Sequence, residues 1–229
     1  MKALLTSLAL AAVLAAAPTA AEAQPRRGAP PQAAVNYTEK LTRENATFVL
    51  VDFLTGFTPG IQTIEPRTFR ANAAAFARTS QIFNMPTIML GDEGGFRGNF
   101  MPEVVQFTGH AVRIERHTVS AWAEPRFRAE IERIGRRKIV MGGPSIDICT
   151  LQLALDMRAA GYEVYVVVDA SGSDTVQNET AAIERLVQAG VVVTNWGSIA
   201  SEIMSDWQSP EGAAVGQLYQ DYSAWGRRF

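Results

Sequence analysis

The single cysteine of the chain, Cys149, lies where a thiol can act as a nucleophile. It follows the apolar residues 138–141 and a Gly-Gly-Pro-Ser turn, and a helical pattern begins beside it. In the first turn of a helix, unpaired backbone N–H groups and the positive end of the macrodipole favour a thiolate. The same groups can hold an oxyanion. The alternative is an inert packing residue, because free cysteine is among the most buried residue types.

Two charged residues occupy comparable positions. Asp52 follows the apolar residues 48–51, and Arg116 follows residues 112–115, so each comes just after a predicted strand. An acid beside a thiol can accept its proton and return it to a leaving group, and a nearby cation holds the thiolate. Taken singly, Asp52 is also explained as a loop acid that caps backbone amides, and Arg116 as a surface cation.

The elements that must position these residues follow from apolar periodicity. Short runs rich in β-branched residues predict strands, and apolar residues at three- and four-residue spacing predict helices. The strands are predicted at 47–51, 87–90, 111–114, 138–141, 164–168 and 191–194, and the helices at 66–83, 124–134, 148–160 and 174–189. Such alternation predicts an α/β fold with a mostly parallel sheet covered on both faces. Ligands of these sheets bind outside the carboxyl ends of the strands, where all three residues are expected.

The N-terminal residues 1–23 predict a cleaved secretory signal peptide. Lys2 precedes an apolar run over residues 3–16, and Ala21-Glu22-Ala23 is a small-residue cleavage site. The apolar run is shorter than the roughly 18 to 20 residues that a spanning helix needs. We therefore expect export, most plainly to a periplasm, with cleavage after Ala23 and no stable membrane anchor.

The remainder is predicted to form one globular domain with short extensions. The 229 residues are 47% hydrophobic and 19% charged, which is enough apolar material for a sizeable core. Residues 24–44 are expected to be a flexible lead-in and residues 45–207 the folded domain. Residues 208–229 contain Tyr219, Tyr222 and Trp225, more aromatic surface than a free tail should carry, so we expect this tail to pack on a neighbouring subunit.

Composition and motifs argue against several function classes. The formal net charge of −2 favours no nucleic-acid partner. No phosphate-binding glycine pattern is present, so no nucleotide cofactor is expected. The two histidines, His110 and His117, have no partners at metal-ligand spacing, so neither a metal site nor any other cofactor is expected.

Several motifs in order resemble the isochorismatase-like cysteine hydrolase superfamily. They are Val51-Asp52, the turn from Gly143 to Cys149 with the helix after it, and Gly-Tyr-Glu-Val-Tyr-Val-Val-Val-Asp-Ala-Ser-Gly at 161–172. Ser120-Ala121-Trp122 and Thr194-Asn195-Trp196 are similar to the YcaC-like branch. The resemblance covers nearly all of residues 45–207. It implies a three-layer α/β/α fold, a homo-oligomer, and cleavage of an amide or related bond in a small-molecule substrate.

The resemblance also implies roles for individual residues. Asp52 becomes the general base, Cys149 the nucleophile, and the backbone N–H groups of Ile146 and Cys149 the oxyanion hole. Arg116 stands where most of the superfamily has lysine; arginine keeps its proton at working pH, so its role is purely electrostatic. The superfamily has a non-proline cis peptide in this turn, and the sequence leaves open which bond within residues 143–146 would be cis.

Aromatic residues near the predicted strand ends are candidates for an apolar substrate wall. They are Phe53, Phe57, Phe96, Trp122 and Trp196, joined by His117, which is adjacent to Arg116. Core packing or a subunit interface explains each aromatic residue equally well, and His117 can be a loop residue without a role.

Two other functions remain open. The fold can belong to a catalytically silent relative that binds or assembles while Cys149 stays inert. The second alternative is a hydrolase that uses Ser145 or Ser171 as its nucleophile, although no Gly-x-Ser-x-Gly elbow is present.

Overall fold

Six short segments pair as a parallel sheet in the computed structural model, which describes residues 36–226. The strands are β1 (Ala46–Val51), β2 (Thr87–Leu90), β3 (Val112–Ile114), β4 (Lys138–Gly142), β5 (Glu163–Val167) and β6 (Val192–Thr194). Each observed strand limit lies within one residue of its prediction. The helices are α1 (Pro66–Ile82), α2 (Pro102–Val105), α3 (Pro125–Ile134), α4 (Leu151–Ala159), α5 (Val176–Gln188), α6 (Trp196–Met204) and α7 (Gly212–Tyr222).

Helices cover both faces of the sheet, which confirms the predicted three-layer α/β/α architecture. On one face α1, α6 and α7 pack on the sheet, and on the other face α3, α4 and α5 do so. Every residue of β1 is buried, because a central strand of such a sheet meets helices on both sides. The ring of Phe48 from β1 stacks on Phe76 of α1 with 5.3 Å between centroids.

The strand order places a crevice beside the carboxyl end of β1. The order is β3-β2-β1-β4-β5-β6, so the chain builds outward from β1 to β3 and then returns to the other side of β1. In the register of the two central strands, Leu50 of β1 lies opposite Gly142 of β4. Asp52 and Gly143 therefore leave neighbouring strands at the point where the winding direction reverses, which is where ligands of open α/β sheets bind.

Contacts with the folded domain begin before residue 45, the position at which the sequence predicts its boundary. Leu41 is buried in the core, and its backbone N–H donates to Glu202 Oε1 over 2.7 Å. The Nζ of Lys138 also donates to the carbonyl of Glu39 at 3.3 Å. The last residues of the expected flexible lead-in are thus held against the amino end of the sheet.

The domain also extends beyond residue 207. Val215 and Leu218 of α7 are fully buried in the core cluster that α1 and α6 share. The apolar spacing of α7 is that of an amphipathic helix, and the apolar face of α7 packs on other helices of the same chain. Residues 208–226 therefore belong to the fold of their own chain, and contact of the predicted tail with a neighbouring subunit stays a prediction.

The predicted signal peptide at 1–23 lies outside the described residues. Within residues 36–226, none of the helices is long and apolar enough to span a membrane. No cluster of three or more histidine, cysteine or acidic side chains able to hold a metal ion occurs in that same range.

Candidate active site

Asp52 ends β1 in a backbone conformation that few residues adopt. Its φ is +52°, in the left-handed region, where aspartate is one of the better tolerated non-glycine residues. The Asp52 N–H still continues the sheet by donating to the carbonyl of Leu90 at 2.9 Å. The turn that begins here sends the carboxylate, rather than the next side chain, to the edge of the sheet. Such strained residues cluster at functional sites.

Arg116 reaches from the end of β3 to this carboxylate. Its Nε donates to Asp52 Oδ1 over 3.0 Å, and its Nη2 contacts Asp52 Oδ2. Only 6% of the Arg116 side chain and 8% of the Asp52 side chain are exposed. A bidentate pair that is so well shielded from water is a strong electrostatic contact. Oδ2 makes no further hydrogen bond within the described residues, so it retains capacity to accept a proton.

The other end of the Arg116 guanidinium is held by its own loop. Nη1 donates to the carbonyls of Thr118 and Val119, the latter at 3.2 Å. Most of the five donors of Arg116 are thus already used. The sequence predicted that this cation pairs with a carboxylate and holds the thiolate of Cys149. The structure shows the first of these contacts, with Asp52, whose carboxylate Arg116 orients.

A carboxylate outside the site fixes the loop that carries Arg116. Glu124 Oε1 accepts from the Thr118 hydroxyl at 2.8 Å and from the Thr118 N–H at 3.3 Å. The hydrogen bond from the Thr118 side chain lowers the pKa of Glu124. This acid therefore stays ionised and keeps accepting hydrogen bonds from the loop. No sequence pattern singled out Glu124, because it acts through loop geometry on a residue six positions away.

Cys149 lies in a single turn of π-helix, Ile146–Thr150, that joins β4 to α4. The Thr150 N–H donates back five residues to the carbonyl of Ser145 at 3.3 Å. Such turns are rare and recur at functional sites. The wide turn explains why α4 begins at Leu151, three residues later than predicted. Cys149 itself is half-buried, with part of its surface against the core on the α4 face.

Gly143 brings the thiol segment and the acid together. A Cβ at Gly143 would lie 2.2 Å from the carbonyl oxygen of Val51 and 3.0 Å from Oγ1 of Thr150. Val51 directly precedes Asp52, and Thr150 directly follows Cys149. Only glycine permits this approach. Val51, beside the acid, and Thr150, beside the thiol, therefore both contact the backbone at Gly143.

Ile146, whose backbone N–H is predicted to form part of the oxyanion hole, uses that N–H in a hydrogen bond to another loop. Its backbone N–H donates to the carbonyl of Gly172 at 2.9 Å, and Gly172 N–H donates to the carbonyl of Pro144 at 3.3 Å. The loop after β5 therefore pairs with the thiol-bearing turn like a short extra strand. All peptide bonds within residues 36–226, including those at 143–146, are trans. The Cys149 amide remains the predicted donor.

The two serine alternatives do not form a nucleophile site. Ser171 is completely buried, and its hydroxyl accepts from the Gly143 N–H at 3.0 Å and donates to the Val167 carbonyl at 2.7 Å. It fixes the start of the turn. The hydroxyl of Ser145 is 3.5 Å from Asp147 Oδ1 and has no histidine beside it among the described residues.

Of the predicted wall residues that follow β1 and β2, only Phe57 borders a cavity next to the thiol-bearing turn. The cavity has a volume of about 330 Å³ and is lined also by Ser145, Ile148 and Arg97, whose guanidinium lies 4.7 Å from the Phe57 ring centre. Phe53 is not a wall residue, because the left-handed turn at Asp52 sends it fully into the core. Phe96 is 89% exposed and stands outside this cavity.

The remaining wall candidates also lie elsewhere. Trp122 packs edge-on against Phe127 and Tyr162, with ring centroids 6.2 and 5.6 Å away. His117 is exposed and pairs only with Glu115 at 3.1 Å, because successive residues of an extended segment point to opposite sides and Arg116 points inward. Trp196 is buried on α6 and faces a separate cavity.

Comparison with known proteins gives a consistent set of relatives. The isochorismatase domain family model matches residues 46–198. The Escherichia coli (strain K12) protein named "Probable hydrolase YcaC" is 30% identical over 179 residues, which cover 77% of this chain and 86% of that protein.

Two crystal structures of YcaC proteins share the fold. The Escherichia coli structure, described as an octameric hydrolase of unknown specificity, superposes with a TM-score of 0.78 at 28% identity, covering 82% of this chain and 93% of that one. The Pseudomonas aeruginosa structure, with hexane-2,5-diol and covalent acrylamide, gives a TM-score of 0.77 at 28% identity and covers 82% and 94%.

Proposed function

The chain belongs to the isochorismatase family, and we propose that it is a metal-independent cysteine hydrolase that cleaves an amide or related C–N or C–O bond of a small molecule. One observation carries the proposal. The buried ion pair of Asp52 and Arg116 lies at the carboxyl edge of the central strands, beside the turn that bears Cys149. A carboxylate that an arginine orients at the same sheet edge as a half-buried thiol is suited to accept the proton of that thiol.

The proposed reaction proceeds through a thioester. Asp52 accepts the Cys149 proton, and the thiolate sulfur forms a bond to the acyl carbon as the carbonyl π electrons move to oxygen. The Cys149 backbone N–H stabilises this oxyanion. Collapse breaks the bond to the leaving group, which takes the proton from Asp52. Water then gives a proton to Asp52 as its oxygen bonds to the acyl carbon of the thioester. Collapse of this second tetrahedral intermediate breaks the carbon–sulfur bond and releases the acid product, and the Cys149 thiolate takes its proton back from Asp52.

In this scheme Arg116 is a positioning residue. It keeps Asp52 oriented by two contacts and stabilises the carboxylate form while remaining protonated itself. The covalent acrylamide in the Pseudomonas aeruginosa relative supports a reactive nucleophile in this group of proteins. Acrylamide adds to thiolates by forming a carbon–sulfur bond, after which its α-carbon takes up a proton.

Acrylamide therefore provides the test. We expect the native protein at neutral pH to gain the mass of one acrylamide on Cys149, and the Cys149→Ser variant to gain none. Ser145→Ala is the matched control in the same turn and should label like the parent. Labelling is followed by intact mass and peptide mapping, with a panel of small amides and esters assayed alongside.

The competing function is a silent binding or assembly protein. It requires a Cys149 that resists acrylamide until the protein is unfolded in denaturant. That result, with no turnover of the amide and ester panel by the native protein, would replace the hydrolase proposal.

We also propose a homo-oligomer, on the precedent of the octameric relative from Escherichia coli. Trp207, at 60% exposure, is a large apolar side chain on the described surface that a second copy would shield.

Export is proposed from the N-terminal pattern. When the full chain is expressed in a Gram-negative host, the protein in the periplasmic fraction is expected to begin at Gln24. An Ala23→Leu change at the small-residue site should leave the N-terminus uncleaved, because the processing pattern needs a small side chain there. N-terminal sequencing of the parent and of the Ala23→Leu variant measures both outcomes. A parent chain that keeps Met1 and stays in the cytosolic fraction would overturn the proposal.

A further inference from the structure

A second cavity opens on the α1, α6 and α7 face of the sheet, away from the thiol-bearing turn. Its volume is about 590 Å³, and it lies between the start of α6, the end of α7 and the turn Ala224–Gly226. Its aromatic lining residues are Trp196, Tyr219, Tyr222 and Trp225. Trp196 and Tyr219 lie with ring centroids 5.3 Å apart. None of the residues proposed for hydrolysis borders it.

One carboxylate, Asp169, lines this aromatic cavity. It follows β5, and its Oδ1 accepts from the Trp196 N–H at 3.2 Å. Asn72 links the same group from α1, since its Nδ2 donates to the Asp169 carbonyl at 2.8 Å and its Oδ1 accepts from Trp196 Nε1 at 3.1 Å. No lysine or arginine among the described residues pairs with Asp169 or lines the cavity.

From this arrangement we infer that the cavity is a binding site for a small organic cation such as a quaternary ammonium ion, with Asp169 as counter-ion and the aromatic rings as walls. The faces of tryptophan and tyrosine attract cations, and quaternary ammonium groups fit such aromatic surroundings because they need no hydrogen-bond donors or acceptors. A pocket with apolar walls and one charged group is also the usual form of a small-ligand site.

The amino end of α6, which borders the cavity, does not make the cavity a site for an anion instead of a cation. The first amides of a helix favour negative charge when they are free. Here the Trp196 N–H is taken by Asp169, and the Ser198 N–H is taken by the Asn195 side chain at 2.8 Å. Since these donors are already satisfied, the uncompensated charge at the cavity is the negative charge of Asp169.

The cost of keeping this carboxylate supports the inference. Burial raises the pKa of Asp169 to about 6, against the opposing effect of the hydrogen bond from Trp196. At pH 7 the group is therefore still largely ionised. An acid whose pKa is raised by folding destabilises the folded state wherever it is ionised, so a charge without a cation partner here opposes stability. A cationic ligand would relieve that cost.

The probe is choline, and its neutral isostere 3,3-dimethylbutan-1-ol has the same shape without the charge. Titration of the full chain by calorimetry and tryptophan fluorescence is expected to show saturable choline binding, with at least tenfold weaker binding of the isostere. Asp169→Asn should weaken choline binding at least tenfold and leave the isostere unchanged. Trp225→Ala should weaken binding of both, because it removes a wall.

A separate measurement distinguishes loss of choline binding from loss of folding. In the Asp169→Asn variant the new amide oxygen can still accept from the Trp196 N–H, and the unpaired charge is gone. Its melting temperature at pH 7 should therefore equal or exceed that of the parent. Asp156→Asn, at an exposed position of α4 across the sheet, is the matched control and should bind choline normally.

The inference is overturned if the parent does not bind choline, as when a second copy of the chain fills the cavity. Equal affinity for the isostere, or undiminished choline binding by Asp169→Asn, would overturn it as well.

Discussion

Replacing Asp52 by asparagine is expected to slow the reaction of Cys149 with acrylamide by about 10²- to 10⁴-fold, the usual contribution of a positioned general base. Asparagine keeps the shape of the side chain and an oxygen for Arg116 Nε. It cannot accept the thiol proton. The second-order rate constant is read from the mass change with time at pH 7.

The stability of this variant must be measured together with its reactivity. Loss of the carboxylate leaves Arg116 as a buried cation without its counter-ion, and a buried pair broken on one side costs about 3–5 kcal/mol. Labelling is therefore done well below the denaturation midpoint of the variant, with near-ultraviolet circular dichroism to establish that the tertiary fold persists.

Glu115→Gln is the matched control for Asp52→Asn. Glu115 is a carboxylate directly beside Arg116 in sequence, but it is exposed and contacts only His117. It should leave the labelling rate within about twofold of the parent, as expected for an exposed group with no role in the site. If Asp52→Asn labels as fast as Glu115→Gln, Asp52 is not the base and the proposed mechanism is wrong.

The sequence was sufficient for the six strands, for α1, α3, α4 and α5, and for the edge of the sheet where the site lies, but α2, α6 and α7 were not predicted. Buried parallel strands appear as continuous β-branched runs, so the limits of β2 could be predicted to the residue. Asp52 and Arg116 could be placed at that edge because the carboxyl ends of parallel strands lie together. That they pair directly, 64 residues apart, depends on the loop that Glu124 fixes.

What the sequence could not predict are side-chain directions after a strand ends. In a strand, successive side chains point to opposite faces of the sheet. The left-handed turn at Asp52 interrupts this alternation, and the Phe53 side chain enters the core instead of the pocket. The hydrogen bond made by Ile146 could not be predicted for a related reason. Its amide is taken by Gly172, and that pairing arises only when the loops after β4 and β5 meet in three dimensions.

A second large effect is expected at the opposite end of the sheet, where Lys138→Met should destabilise the protein by about 3–5 kcal/mol. Lys138 is 2% exposed, and its Nζ donates to Glu163 Oε2 at 2.6 Å and to the Tyr165 hydroxyl at 3.0 Å. Removing the ammonium leaves the buried Glu163 carboxylate with only the half-exposed Arg137 as a partner. The urea midpoint and slope measure the change.

The matched control is the ion pair between the exposed Arg133 and the partly buried Glu130. Arg133→Met removes a cation of a pair in which that side chain is 67% exposed. Exposed pairs contribute about 0.2–1 kcal/mol, so this change should be small. A Lys138→Met variant as stable as Arg133→Met would show that burial does not raise the importance of the Lys138 pair.

The triple variant Lys138→Met, Glu163→Leu, Tyr165→Phe separates the two reasons why the single change is costly. If the cost comes from leaving charged and polar groups buried without partners, replacing all three by apolar side chains of similar volume should recover most of the lost stability. If Lys138 matters because it anchors the carbonyl of Glu39 and hence the start of the domain, the triple variant should stay as unstable as the single one. Recovery is the expected result, because the Leu41 side chain buried next to this anchor remains to hold the segment in place.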